Sequence, residues 1–202
     1  MIDIGAGENV FQQEEPILHY HVLRQGIAKL GRRKGSVEKL FALKVPGEVL
    51  ECELRKEVDS RKGFCQTVTD VKVVVVEREK FFQAIETNGS VSQKIFYQLE
   101  REMCFHRRLK KIEREGEIGA SMAFLLHHLL KKVKANREKI EPRHLDRLPL
   151  KQRELANLMG VSRGTVSKYI GRLKGKGAVE TGRGGVKILA EDVLKEEFRD
   201  FI

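Results

Sequence analysis

No run of about 18 apolar residues occurs in the chain, so no segment reads as a membrane-spanning helix and no membrane partner is expected. The opening residues, MIDIGAGENV, lack the basic and apolar stretches of a secretory leader, and the expected location is cytoplasmic. Cysteine is scarce: Cys52, Cys65 and Cys104 form neither a CxxC pair nor the dense framework of a secreted disulfide protein. Nucleophile triads, phosphate-cradling glycine loops and paired catalytic carboxylates are also missing. Those absences argue against an enzyme.

What is present is positive charge, unevenly placed. The net charge is +10, yet residues 1–87 carry 14 Lys/Arg against 14 Asp/Glu, while residues 88–202 carry 25 against 15. The whole excess therefore sits in the second part, as expected of a neutral module joined to one that attracts polyanions. Neutralising phosphates releases counterions, which makes nucleic acid the first partner to consider.

Periodicity divides the chain in the same way. Up to about residue 78, short β-rich runs (ILHYHVL at 17–23, GIAKLGR at 26–32, VEKLFALKV at 37–45, FCQTVTDVKVVVV at 64–76) alternate with Gly and Pro, predicting a small antiparallel barrel or sandwich. The period then lengthens to about 3.6. EKFFQAIETN reads as a short helix, and a continuous helical stretch runs from Ser90 to about Glu115. Along it Val91, Ile95, Leu99 and Met103 recur every four residues, and Phe105, Leu109 and Ile112 extend the apolar seam. That seam either lies on its own barrel or pairs with the same helix of a second subunit. Gly116 and Gly119 interrupt the helix and predict a hinge. SMAFLLHHLLKKVKA reads as another helix, and NREKIEPRHLDRLP as a loop. The predicted class is α+β, with a barrel at 1–87, a long helix at 88–115 and a helical domain at 116–202.

Residues 152–171, QRELANLMGVSRGTVSKYIG, have the spacing of two short helices packed across a tight turn. Leu155, Met159, Val161, Val166 and Tyr169 fall where the helices must touch, and Ala156 is small where they cross. Gly160 supplies a positive φ for the turn, and Ser162 can cap the second helix. The period of that helix then turns Arg163, Gly164, Ser167 and Lys168 outward. In a major groove, Arg163 could pair bidentately with a guanine and Lys168 could donate to a base or phosphate, with Thr165 and Ser167 as phosphate donors. AVETGRGGVKIL predicts two strands around a glycine-rich turn, with Arg183 at its tip meeting backbone phosphate.

The stretch LPLKQRELANLMGVSRGTVSKYIGRLKGKGAVE resembles the winged helix of the Crp/Fnr family of bacterial regulators, and the order barrel, long helix, hinge, winged helix resembles that family too. The resemblance implies a cupin-like sensory barrel and a homodimer formed through the 90–115 helix. It also implies double-stranded DNA with two-fold half-sites about one helical turn apart, and RNA polymerase as a further partner. By the same resemblance Arg163 and Lys168 match base-reading positions, and Ser162 and Thr165 match phosphate contacts. Three positions depart from the family's pattern. Gly164 replaces a common Glu that accepts from cytosine, and Lys151 replaces the usual Thr at the start of the first helix. Glu51-Cys52 and Arg61-Lys62 stand where cyclic-nucleotide binders carry Gly-Glu and Arg-Ser. Only Arg61 survives at that pocket, with Lys62 beside it, so cyclic AMP is not expected. An iron–sulphur cluster is not expected either, because no cysteine precedes Cys52.

Other chemistry is thinly supported. His19 and His21 alternate on one strand like the first ligand pair of a metal cupin, the alternative being a metalloenzyme or small-molecule-binding module. The Glu that should follow is Gln25, and no further His occurs before His106. His127 and His128 project about 100° apart on a helix, which prevents joint ligation of one ion. Cys52 and Cys65 flank a possible hairpin and could form a reversible disulfide.

Overall fold

A computed structural model describes residues 1–51, 53–115 and 118–201. The chain forms two compact units, Met1–Glu100 and Arg101–Ile202, divided within one long helix.

The first unit holds seven strands: β1 (Ile2–Ile4), β2 (Asn9–Phe11), β3 (His19–Gln25), β4 (Ala28–Lys34), β5 (Val37–Lys44), β6 (Phe64–Thr67) and β7 (Val71–Glu77). They form two antiparallel sheets, one ordered β1-β7-β3 and one ordered β2-β6-β4-β5. Alternation sends one face of each inward, so that Leu23, Val71 and Val73 of the first sheet meet Phe11, Ala28, Leu30 and Cys65 of the second in one buried cluster. Of the predicted barrel or sandwich, two facing sheets form, not closed into a full barrel. A second cluster lies on β3 and β7, where helix α1 (Arg78–Thr87) packs Phe81 and Phe82 against Tyr20. The Tyr20 and Phe81 rings stack at 4.1 Å. Helix α2 (Gly89–Arg114) follows, and its buried Gln98 accepts from the Val49 N–H at 2.9 Å and donates to the Val49 carbonyl at 3.1 Å, satisfying backbone that no strand pairs there.

The predicted apolar seam of α2 divides. Leu109 and Ile112 are buried in the second unit, whereas Leu99 and Met103 stay exposed, joined by Phe96 on the same stripe. Gly116 and Cys52 lie outside the described residues, so neither the first half of the predicted hinge nor the Cys52–Cys65 pair is described. The helix is interrupted as predicted, α2 ending at Arg114 and the next helix starting at Ile118, with Gly119 in the first turn of the latter. Gly119 is buried inside this helix, α3 (Ile118–Lys134), where a Cβ would stand 3.0 Å from the Tyr169 ring.

Helix α3 is the centre of the second unit, with Met122, Leu125, Leu126, Leu129, Leu130 and Val133 all buried. After it the stretch predicted as a loop contains two 3-10 turns, Arg137–Lys139 and Pro142–His144, and a short strand β8 (Arg147–Leu148). Then come α4 (Gln152–Met159), α5 (Arg163–Gly175), β9 (Val179–Gly182), β10 (Gly185–Ile188) and α6 (Glu191–Glu196), the strands forming an antiparallel sheet ordered β8-β10-β9. Among the described residues no helix is long and apolar enough to cross a membrane.

His128 stacks on Phe105 at 4.1 Å, and burial, helped by the nearby Lys132 charge, pushes its pKa down to about 4. This lies below the ordinary imidazole value, so the unfolded chain takes up the proton first as pH falls, and stability is lost between about pH 6.5 and pH 4. Urea unfolding across that window should show a falling midpoint, and His128→Phe, which keeps the ring stack, should flatten part of the fall. His127 and His144, also held low by burial, retain the rest. A pH profile unchanged by the substitution would contradict the assignment.

Candidate nucleic-acid interface

The interface is built on α4 and α5. The backbone N–H of Lys151, the cap residue of α4, donates to Glu154 Oε2 at 2.8 Å. An ammonium has no lone pair, so only this half of a capping box exists and the first N–H groups of α4 have no side-chain acceptor. Leu155, Ala156 and Met159 are buried, and the helix ends at Gly160, whose φ of 67° lies in the left-handed region that glycine adopts without strain. Two residues later Ser162 caps α5. Its Oγ accepts from the Thr165 N–H at 3.0 Å and lies 2.9 Å from Thr165 Oγ1.

The inward face of α5 is Val166, Ile170 and Leu173, all buried, while Tyr169 is only half-buried. Arg163, Gly164, Ser167 and Lys168 are exposed, as the period predicted. Lys168 Nζ stands 5.7 Å from the Tyr169 ring centre, which holds the ammonium over an aromatic face. A Cβ at Gly164 would meet only Ser162 Oγ, at 3.6 Å, so the missing carboxylate is not a consequence of crowding. Beyond α5, β9 and β10 are the predicted wing strands, with Val186 opposite Thr181 and Arg183 in the turn. Gly185, at φ 106°, has no alternative: a Cβ there would lie 2.0 Å from the Leu148 carbonyl oxygen.

Between helix starts and wing lies a cleft of about 610 Å³ lined by Lys151, Gln152, Arg153, Arg163, Thr181 and Arg183, among others. Arg153 was missed from sequence, because its place opposite the wing depends on the β9–β10 turn folding back over α4. Elsewhere in the unit Glu197 pairs with Arg172 at 3.3 Å and with Lys176, Asp146 pairs with Lys187 of the wing sheet at 3.3 Å, and Glu191 pairs with Lys134. Lys151, Arg153, Arg163, Lys168 and Arg183 have no ion pair with any described residue. These five cations outnumber the Glu154 carboxylate that bonds the Lys151 N–H at the start of α4. Such a surface raises the local concentration of a polyanion.

Residues 122–197 match the family model described as the Crp-like helix-turn-helix domain. The chain carries a Crp-like helix-turn-helix. No curated protein matches the sequence. Solved structures of Crp/Fnr-type regulators share the fold from end to end. A transcriptional regulator of the CRP/FNR family from Thermus thermophilus superposes with a TM-score of 0.74 at 20% identity, covering 100% of this chain and 99% of that one. FixK2 from Bradyrhizobium japonicum gives 0.71 at 15%, covering 98% and 96%. CLP of Xanthomonas campestris, described as a c-di-GMP responsive global regulator, gives 0.66 at 20%, covering 94% and 93%. The Crp-like helix-turn-helix supports a DNA-binding transcription regulator.

In the first unit, the arginine at the resemblance's effector position is already engaged. Arg61 is buried, and its Nη1 donates to Glu51 Oε1 at 2.9 Å, its Nη2 to the His19 carbonyl at 2.8 Å, and its plane lies 4.0 Å from the Phe11 ring centre. Glu51 also accepts from the His21 backbone N–H at 2.9 Å and lies 2.6 Å from His21 Nδ1. Glu51 thus pairs directly with the arginine. Lys62 faces solvent, its Nζ donating to Ser60 Oγ at 3.0 Å. His19 is exposed while His21 is buried, and no group of three His, Cys, Asp or Glu able to hold a metal exists among the described residues.

Glu51→Ala strands a buried guanidinium and should cost about 3–5 kcal/mol, read by urea unfolding. Pairing it with Arg61→Met should recover most of that loss. Equal losses in the single and double variants would show that the ion pair is not what the site depends on.

Proposed function

We propose that this protein is a homodimer that binds a two-fold DNA operator, inserting the start of α5 of each subunit into successive major grooves. Arg163 and Lys168 read base edges, and Ser162, Thr165, Ser167, Lys151 and Arg183 contact the phosphates on either side. The observation that carries this reading is the cluster of cations on the exposed start of a capped helix and the facing wing, none of them in an ion pair with a described residue. Gly164 leaves one base position unread, so the operator differs from that of relatives with a glutamate there.

Dimerisation through α2 is supported by the exposed stripe Phe96, Leu99 and Met103, with exposures of 64%, 47% and 49%. Apolar side chains spaced i, i+3, i+7 on a 26-residue helix suit pairing with the same helix of a second copy. The functional division follows the expected boundaries: residues 1–87 as sensory module, 88–115 as dimer helix, 116–202 as DNA reader. Any effector binds elsewhere than at Arg61, since Glu51 supplies the anion that a nucleotide phosphate would bring. RNA polymerase is the proposed protein partner, and the cytoplasm the place of work.

Selection of bound duplexes from a random pool tests the base assignments. Arg163→Ala should broaden the selected sequences and lose about 1–3 kcal/mol per half-site on the best one, whereas Arg183→Ala should weaken all duplexes alike. A uniform loss from Arg163→Ala would overturn them. Leu99→Asp should yield monomers in sedimentation and lower the affinity for the two-fold site; a wild-type monomer would remove the dimer.

A further inference from the structure

β10 lies between β8 and β9, with Arg147 opposite Lys187 and Leu148 opposite Val186. Leu148 and Val186 are buried, so alternation places Arg147 on the other face of the wing sheet, away from the helix-turn-helix. There its side chain lies across the wing turn. A Cβ at Gly184 would stand 3.1 Å from Arg147 Cδ, and one at Gly182 would stand 3.3 Å from Nη1. The arginine thus fills the space that side chains at both positions would take. Its neighbour Lys187 is neutralised by Asp146, but Arg147 has neither an ion pair nor a hydrogen-bond acceptor for its guanidinium among the described residues.

We infer that Arg147 is a phosphate-binding residue of the DNA interface, holding the duplex backbone on the outer face of the wing while Arg183 and the α4 start hold it on the inner side. This rests on the DNA-binding reading above. A guanidinium presents parallel N–H groups that match two phosphate oxygens. With its stem laid along the glycine backbone, little side-chain freedom is left to lose on contact. The two glycines gain a role that turn geometry alone does not require: φ is positive only at Gly185, and the bare backbone at 182 and 184 leaves room for the arginine.

The test is binding of a selected duplex by the full chain over a series of salt concentrations, for wild type, Arg147→Ala, Arg147→Gln and Arg147→Lys. Loss of one phosphate contact in each subunit should lower the slope of log K against log salt by about 0.9 per contact, about 1.8 for the dimer, and weaken binding roughly tenfold per half-site at low salt. The Ala and Gln variants should both do this with unchanged melting temperature, and Lys should restore the slope. An unchanged slope in Ala and Gln, whether or not affinity falls, makes Arg147 a support of the wing only and overturns the inference. Failure of the wild type to bind duplex at low salt would instead overturn the DNA-binding reading beneath it.

Discussion

The hydrogen bond from the Thr165 amide to the Ser162 hydroxyl fixes the residue at which α5 begins, and the side chains that can face a groove follow from that start. One residue earlier or later, a helix of 3.6 residues per turn would rotate Arg163 and Lys168 by about 100°. Val166, Ile170 and Leu173 would leave the core in the same movement. Gly160 makes the start possible, because its positive φ ends α4 abruptly enough for Ser162 to reach its capping position. Cap, turn and buried face therefore agree on one orientation of the helix.

Charge placement completes what the cap begins. Both units contain carboxylates close to cations, but they are used differently. In the first unit Glu51 lies buried against Arg61 and His21, so the terminal nitrogens of an arginine suited to an external anion are engaged internally, while its Nε has no hydrogen-bond partner. In the second, Glu197, Asp146 and Glu191 pair with cations of α5, the wing sheet and α3, while Lys151, Arg153, Arg163, Lys168 and Arg183 have no ion pair with a described residue. Anion capture is thus concentrated on the surface formed by α4, α5 and the wing.

The helix-turn-helix was legible in the sequence because its constraints are local: a glycine for the turn, a serine for the cap and apolar residues at helical spacing lie within 20 residues. The wing was legible for the same reason, through TGRGG. What escaped depends on partners distant in the chain. Strand β8 is two residues long and exists only because β10 pairs with it, so PRHLDRLP has no periodicity of its own. Tyr169 was placed in the helix contact where Ile170 is the fully buried residue, a shift of one position that a half-exposed aromatic ring readily disguises. Gly119 was legible as part of a helix break, which falls between Arg114 and Ile118, but not that its missing side chain admits the Tyr169 ring from another helix. Glu51 and Arg61 were read as a failed nucleotide pocket, and only the fold shows their charges in contact.

Interference by guanine N7 methylation on a selected operator tests the central claim most directly, since it reports which base edges the protein must reach. The account predicts that methylation of one guanine in each half-site, with the two sites about ten base pairs apart, blocks binding by the wild type, and that both effects vanish with Arg163→Ala. Interference confined to phosphates, or base interference that persists without Arg163, would contradict it.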